Sequence, residues 1–184
     1  MLTLAISNRL IEAALAEGHM RNLQPLTVAV LDAGGHVIAL QREDGASLLR
    51  PQIATAKAWG TLGFGFGGRE LARRATANPT FFNMLIELSD GKMAPVQGGV
   101  IIRDAAGAVL GAVGITGDLS AQDEACALAG LGRCALAAGR TADAQADLQQ
   151  AQEIFQRIGA AEVTSVAAEL DALTEAGPAA GKDP

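Results

Sequence analysis

Hydrophobic positions at the start of the chain repeat first with helical and then with strand-like spacing. Residues 3–18 contain an apolar stripe with the three- and four-residue spacing of an amphipathic helix, formed by Leu4, Leu10, Ile11, Ala14 and Leu15. Gly18 is a residue type that can end such a helix, which leaves His19 at the helix end. Residues 26–31 and 37–42 are rich in Val, Ile and Leu, and turn-forming residues separate them. We therefore predict one helix followed by a β-hairpin.

The middle of the chain has a helical pattern interrupted by glycine. Pro51 suits the first turn of a helix, which we predict to continue to about Phe64. Residues 63–68 contain four glycines and predict a loop, and residues 69–77 predict a short helix. Further apolar residues follow, and we expect them in the core: Phe81, Phe82, Met84, Leu85 and Ile86.

A second hairpin and a further helix complete the pattern. Residues 97–102 and 109–115 predict two strands joined by a turn. Ser120 and Asp123 have the spacing of a capping box, so a helix should begin at Ser120. Two hairpins separated by helices indicate an α+β fold, in which helices pack on an antiparallel sheet.

From about residue 125 the sequence becomes rich in Ala, Gln, Asp and Leu at helical spacing. The spacing resembles the tetratricopeptide pattern, with a helical hairpin that turns at residues 138–141, a second helix that Gly159 ends, and a third helix over 161–172. We therefore divide the chain into a domain over 1–131, a repeat-like tail over 132–176 and a frayed end over 177–184. Since a single repeat cannot bury its own apolar face, the tail must pack on the domain or on another subunit.

Composition narrows the classes of function. The net charge is −6, and the chain contains one Trp, five Phe and no Tyr, which argues against binding to nucleic acid or to an anionic membrane. The sequence contains no stretch of about 20 apolar residues, so it predicts no membrane span. Cys126 and Cys134 lie eight positions apart on one predicted helix, roughly 12 Å along its axis and too far for a disulfide. These features are typical of a cytoplasmic protein with reduced cysteines.

Several ordered motifs together carry a family resemblance. They are residues 28–36, Arg42-x-Asp44-Gly45-Ala46, Ala54-x2-Lys57-Ala58, Gly98-Gly99, and Gly114-Ile115-Thr116-Gly117-x4-Gln122-Asp123-Glu124. Over about residues 1–131 the chain resembles the GlcG/HbpS family of small haem-binding proteins, also seen as the C-terminal domain of PduO-type proteins. The resemblance implies a profilin-like sheet flanked by helices and a homo-oligomer between dimer and octamer. It also implies a small-molecule ligand, for which haem is the leading candidate.

Three groups of motif residues are candidates for the ligand site, and each has a structural alternative. Lys57 would contact an anionic group, or would be a surface lysine whose stem is buried. Gly98 and Gly99 would admit a ligand close to the backbone, or would form a bulge or a tight start to a strand. Thr116 and Gly117 would contribute a hydroxyl and backbone groups, or would only form a turn.

The remaining candidates carry charge. Asp123 would act as a general base or would cap its helix, and Arg42 would line the pocket or pair with Asp44. His19 and His36 are the conventional haem ligands, although His36 lies in a turn where solvent would surround it.

No group of residues has the spacing of a structural metal site, and the sequence gives no sign of a nucleophilic triad. The sequence therefore leaves three functions open. The first is a haem binder without catalysis. The second is an enzyme, or an enzyme subunit, that acts on a small anionic metabolite through Lys57, Thr116 and Asp123. The third makes the tail the functional part, as a helical hairpin that docks a partner.

Overall fold

The computed structural model describes residues 1–158 and 164–175. The described residues form an α+β fold, as the sequence predicts, with four strands and seven helices, of which the helix Pro79–Leu88 was not predicted. In chain order the elements are α1 (Leu4–Met20), β1 (Thr27–Asp32), β2 (Val37–Arg42), α2 (Arg50–Phe64), α3 (Gly68–Ala77), α4 (Pro79–Leu88), β3 (Gly99–Arg103), β4 (Val109–Thr116), α5 (Ser120–Ala137), α6 (Thr141–Arg157) and α7 (Thr164–Glu175).

The four strands form one antiparallel sheet in the order β2-β1-β4-β3. Alternate residues of a strand face opposite sides of a sheet, and both sides of this sheet are covered. Val28 and Val30 of β1 pack in the larger core with α1, α5 and α6, whereas Ala29 and Leu31 pack against α2. The two central strands are therefore apolar on both faces.

Small residues let α2 lie directly on the sheet. Gly114 of β4 is the clearest case, because a Cβ atom there would lie 2.0 Å from the carbonyl oxygen of Ala54 on α2. The neighbouring side chains are also small, since Ala54 and Ala58 of α2 face Ala29 and Ala112 of the sheet. This close contact fixes the position of α2, which carries Lys57 and Trp59.

The first helix ends later than predicted. The helix α1 continues through Gly18 to Met20 because Gly18 is needed for packing rather than for termination. A Cβ atom at Gly18 would lie 2.5 Å from Cδ1 of Leu26.

The predicted turn at 138–141 joins α5 to α6. Gly139 lies in this turn with φ of +72°. Leu148, Ala151, Ile154 and Phe155 of α6 are fully buried in the same core as α1 and α5. Gly159 lies outside the described residues, as do residues 177–184, so their predicted structure is not tested. The tetratricopeptide likeness of the tail also remains a prediction.

A buried charge network joins the tail to the domain. The carboxylate of Glu17 on α1 accepts hydrogen bonds from Arg21 at 2.5 Å and from Arg133 of α5 at 2.6 Å. Arg133 also pairs with Glu169 of α7 at 2.9 Å. The guanidinium of Arg21 lies 3.1 Å from the ring centre of Phe155. The tail is thus anchored through both its apolar face and its charges.

The predicted core around α4 is partly wrong. Phe82 is buried with Leu71 and Met93, but Phe81 and Met84 are about half exposed, at 50% and 52%. The reason is that α4 packs mainly on α3, so only one edge of it is covered. The helices of residues 1–158 and 164–175 include none that is long and apolar enough to cross a membrane.

Candidate functional site

Lys57 lies at the centre of a closed cluster of motif residues. Its Nζ donates to Oδ2 of Asp123 and to the carbonyl oxygen of Ile115, both at 2.8 Å. The side chains of Lys57 and Asp123 are 2% and 0% exposed. The alternative of a surface lysine is therefore wrong, and the ammonium group contacts a carboxylate of this chain.

Burial dominates the electrostatics of this pair. Loss of solvent lowers the pKa of Lys57, while attraction to Asp123 opposes that shift. Loss of solvent also raises the pKa of Asp123, and Lys57 opposes it. Each charge therefore depends on the other, because neither has water to stabilise it.

Asp123 does not form the predicted capping box. The helix α5 does begin at Ser120, but Ser120 is its first helical residue, Leu119 is its N-cap, and no side chain caps it. Oδ1 of Asp123 instead accepts the backbone N–H of Asp118 at 3.1 Å, while Oδ2 contacts Lys57. The carboxylate thus connects the start of α5 to α2.

Gly98 and Gly99 make room for Lys57. A Cβ atom at Gly98 would lie 2.8 Å from Nζ of Lys57, and Gly98 has φ of +108°. A Cβ atom at Gly99 would lie 2.5 Å from the carbonyl oxygen of Lys57. These contacts support the structural interpretation of the two glycines, a tight start to a strand against α2.

Thr116 and Gly117 contact a residue that sequence reasoning missed. Arg50 donates to Oγ1 of Thr116 at 2.7 Å and to the carbonyl oxygen of Gly117 at 2.8 Å. Thr116 is 1% exposed. The only sequence signal for Arg50 was its place just before the helix-starting Pro51. Six candidate residues therefore lie together, namely Lys57, Gly98, Gly99, Thr116, Gly117 and Asp123. The three surface grooves described below are not lined by Lys57, Thr116 or Asp123.

His19 and Arg42 lie away from this cluster. Nε2 of His19 contacts Oε1 of Glu43, and both residues line a small surface groove of about 400 Å³ with Asp44. None of the ion pairs among the described residues joins Arg42 to Asp44, so that predicted pair is wrong. Arg42 is exposed near the end of the edge strand β2.

A larger groove of about 800 Å³ lies along the other face of α2. Its walls come from α2, the β1–β2 turn and the segment after α4, and its lining includes His36, Leu40, Ala56, Trp59 and Lys92. The volume lies within the range of small-molecule and cofactor sites.

His36 is held at this groove by the turn that contains it. Oδ1 of Asp32 accepts the backbone N–H groups of Gly34 and His36, both at 2.9 Å. The same oxygen lies 3.4 Å from Nδ1 of His36. The hydrogen bond from the His36 backbone is the main reason that the pKa of Asp32 is lowered. Among the described residues, Nε2 of His36 has no hydrogen-bonding partner.

Sequence reasoning did not identify this groove as a site. His36 was recognised as a conventional haem ligand, but in a turn where solvent would surround it, and Trp59 and Lys92 belong to segments that are distant in sequence. Their proximity depends on how the 90–92 segment returns to α2, which no local pattern indicates. The part of the chain that the structure describes also contains no group of three or more His, Cys, Asp or Glu residues that could hold a metal ion.

Comparison with known proteins gives a family and a fold. The family model described as haem degrading protein HbpS-like matches residues 2–132. No curated protein matches the chain. Solved structures similar to it include the Klebsiella pneumoniae protein ORFY, with a TM-score of 0.66 and 25% identity over 72% of this chain and 89% of that chain.

Two further structures share the same fold. A double mutant of Streptomyces reticuli HbpS has a TM-score of 0.63 and 28% identity over 72% of this chain and 86% of that chain. A PduOC:heme complex has a TM-score of 0.64 and 24% identity over 71% of this chain and 92% of that chain. At that identity, the PduOC likeness concerns the fold alone.

Proposed function

Because this chain belongs to the HbpS-like family, we propose that it binds haem and that the haem lies in the large groove along α2. The observation that carries the proposal is the position of His36. Its Nδ1 lies 3.4 Å from Oδ1 of Asp32, and within residues 1–158 and 164–175 its Nε2 has no hydrogen-bonding partner, so Nε2 is available to a metal while a carboxylate lies beside the other ring nitrogen. A single histidine is a sufficient protein ligand for haem iron.

The lining of the groove fits a flat amphipathic ligand. Leu40, Ala56 and the indole of Trp59 provide apolar surface for a macrocycle. Lys92 is exposed at the groove and offers a cation to a propionate. In this proposal His36 binds the iron, Trp59 packs on the ring and Lys92 orients the acidic edge.

Haem bound in this groove would supply a redox-active iron. The residues of the chain would position it and shield one side of it from water. Asp32 would keep the imidazole of His36 oriented, because its carboxylate also fixes the turn.

A haem titration with two matched variants tests the proposal. His36→Ala should weaken haem binding at least tenfold, corresponding to about 1.4 kcal/mol, and should remove the Soret band of the histidine-ligated form. His19→Ala is the matched control, since both histidines are exposed at the surface. Trp59 is the only tryptophan, so quenching of its fluorescence gives a second measure of binding.

The opposite pattern would contradict the proposed site. Loss of binding in His19→Ala, with His36→Ala unchanged, would move the haem to the small groove beside Glu43. Equal binding by both variants and the unaltered protein would remove histidine ligation from the proposal.

The second function left open by the sequence has less support. An enzyme that acts on an anionic metabolite through Lys57, Thr116 and Asp123 needs access to them, and all three are buried. We include a homo-oligomer in the proposal, since the half-exposed Phe81 and Met84 of α4 offer apolar surface for association. The molar mass in solution, measured by light scattering, tests that part.

A further inference from the structure

A different groove, of about 520 Å³, lies along the edge strand β3. The glycine-rich segment before α3 forms one side of it, and α5 and the tail helix α6 form the other. Its apolar walls are Phe66, Val100, Ile101 and Leu128. It has no lining residue in common with the groove along α2.

Three arginines and two glutamates also line this groove, and four of these five groups are paired. Arg69 contacts Glu124 at 2.7 Å, and Arg73 contacts Glu70 at 2.7 Å. Within residues 1–158 and 164–175, Arg103 has no carboxylate partner.

The contacts of Arg103 are to backbone carbonyls. Its guanidinium donates to the oxygens of Gly107 at 3.0 Å and Gly65 at 3.3 Å. The lining therefore carries one uncompensated positive charge next to apolar walls.

We propose that this groove binds a small organic monocarboxylate with an apolar body. Arg103 pairs with the carboxylate, because a guanidinium matches the geometry of two carboxylate oxygens. The apolar walls take the body of the ligand. A dianion such as phosphate fits less well, since its second charge would meet Glu70 and Glu124 without a free cation.

Calorimetric titration with hexanoate tests the site, and hexanamide is the neutral probe of the same shape. We expect saturable binding of hexanoate, at least tenfold weaker binding of hexanamide, and at least tenfold weaker hexanoate binding by Arg103→Gln. Arg157→Gln is the control, because Arg157 is an exposed arginine of α6 outside the groove. It should bind hexanoate as the unaltered protein does.

Two results would overturn the proposal. One is the absence of saturable hexanoate binding at concentrations up to about 1 mM. The other is equal affinity for hexanoate and hexanamide, which would show that the charge of Arg103 is not used. Arg103→Lys distinguishes the loss of the charge from misfolding caused by substitution at this position. It keeps the charge, so it should retain more hexanoate binding than Arg103→Gln.

The site is separable from the haem proposal. Arg103→Gln should leave the haem titration unchanged, and His36→Ala should leave hexanoate binding unchanged. Failure of either proposal therefore does not decide the other.

Discussion

The two faces of α2 have opposite surroundings, although they belong to one short helix. One face carries Lys57, which is buried against Asp123 and against Gly98 and Gly99 at the start of β3. The other carries Trp59 and lines an open groove with His36 and Lys92. The motif residues Lys57, Gly98, Gly99 and Asp123 lie on the closed face, whereas the space for a ligand lies on the open face, which only the motif over 28–36 reaches. Motif residues can thus define a fold by holding it together, without touching a ligand.

The largest expected effect concerns the closed face. Lys57→Met should lower the free energy of unfolding by about 3–5 kcal/mol, because it leaves the buried charge of Asp123 without a partner. Lys92→Met on the open face is the matched control, since Lys92 is exposed, and it should change stability by less than about 0.5 kcal/mol. Urea unfolding measures both.

A double variant shows whether the charge itself is the cause. Lys57→Met with Asp123→Asn removes both charges and should recover part of the loss. A loss below about 1 kcal/mol for Lys57→Met alone would mean that water reaches Asp123, and the contrast between the faces would fail.

The next effect concerns the contact between α2 and the sheet. Gly114→Ala should cost about 2–3 kcal/mol, because the new Cβ atom would lie 2.0 Å from the carbonyl oxygen of Ala54 and force α2 to move. Gly107→Ala is the control, since no atom lies within 4 Å of its Cβ position and only its φ of +83° is unfavourable. Gly107→Ala should cost about 1 kcal/mol. Equal losses in thermal unfolding would show that the sheet does not fix α2.

The smallest expected effect concerns a partly buried charge, whose exposure lies between that of buried Lys57 and exposed Lys92. Asp147 of α6 is half-buried, and burial, followed by the negative charge of Asp143, raises its pKa to about 6 from 3.8. Because the folded state disfavours the ionised form, Asp147 lowers stability above pH 6 and has no such cost when it is protonated in both states, below pH 3.8.

Asp147→Asn should therefore stabilise the protein by about 1–2 kcal/mol at pH 7.5 and have little effect at pH 3.5, in unfolding measured at both values. Asp171→Asn changes an exposed aspartate of α7 and should have little effect at either pH. The same gain at both pH values would contradict an electrostatic cause.

Much of the fold could be predicted because its signals are local. Short apolar runs separated by turn residues identified β1 and β4, and Pro51 marked the start of α2 to within one residue. Predictions failed where a distant contact decided the outcome. The helix α1 continues past Gly18, which is glycine because Leu26 packs against it. Asp123 does not form the predicted capping box, and its carboxylate contacts Lys57, which lies 66 positions away.

The sequence by itself determined the α+β class, the family and the order of the elements apart from α4, and it singled out most of the residues that lie around Lys57. Only the tertiary structure decided that Lys57 is buried, that Arg50 contacts Thr116, and that His36, Trp59 and Lys92 line one groove. The physical reason is the range of the interactions. Periodicity and turns depend on neighbours in sequence, whereas burial, ion pairing and cavities depend on which distant segments pack together.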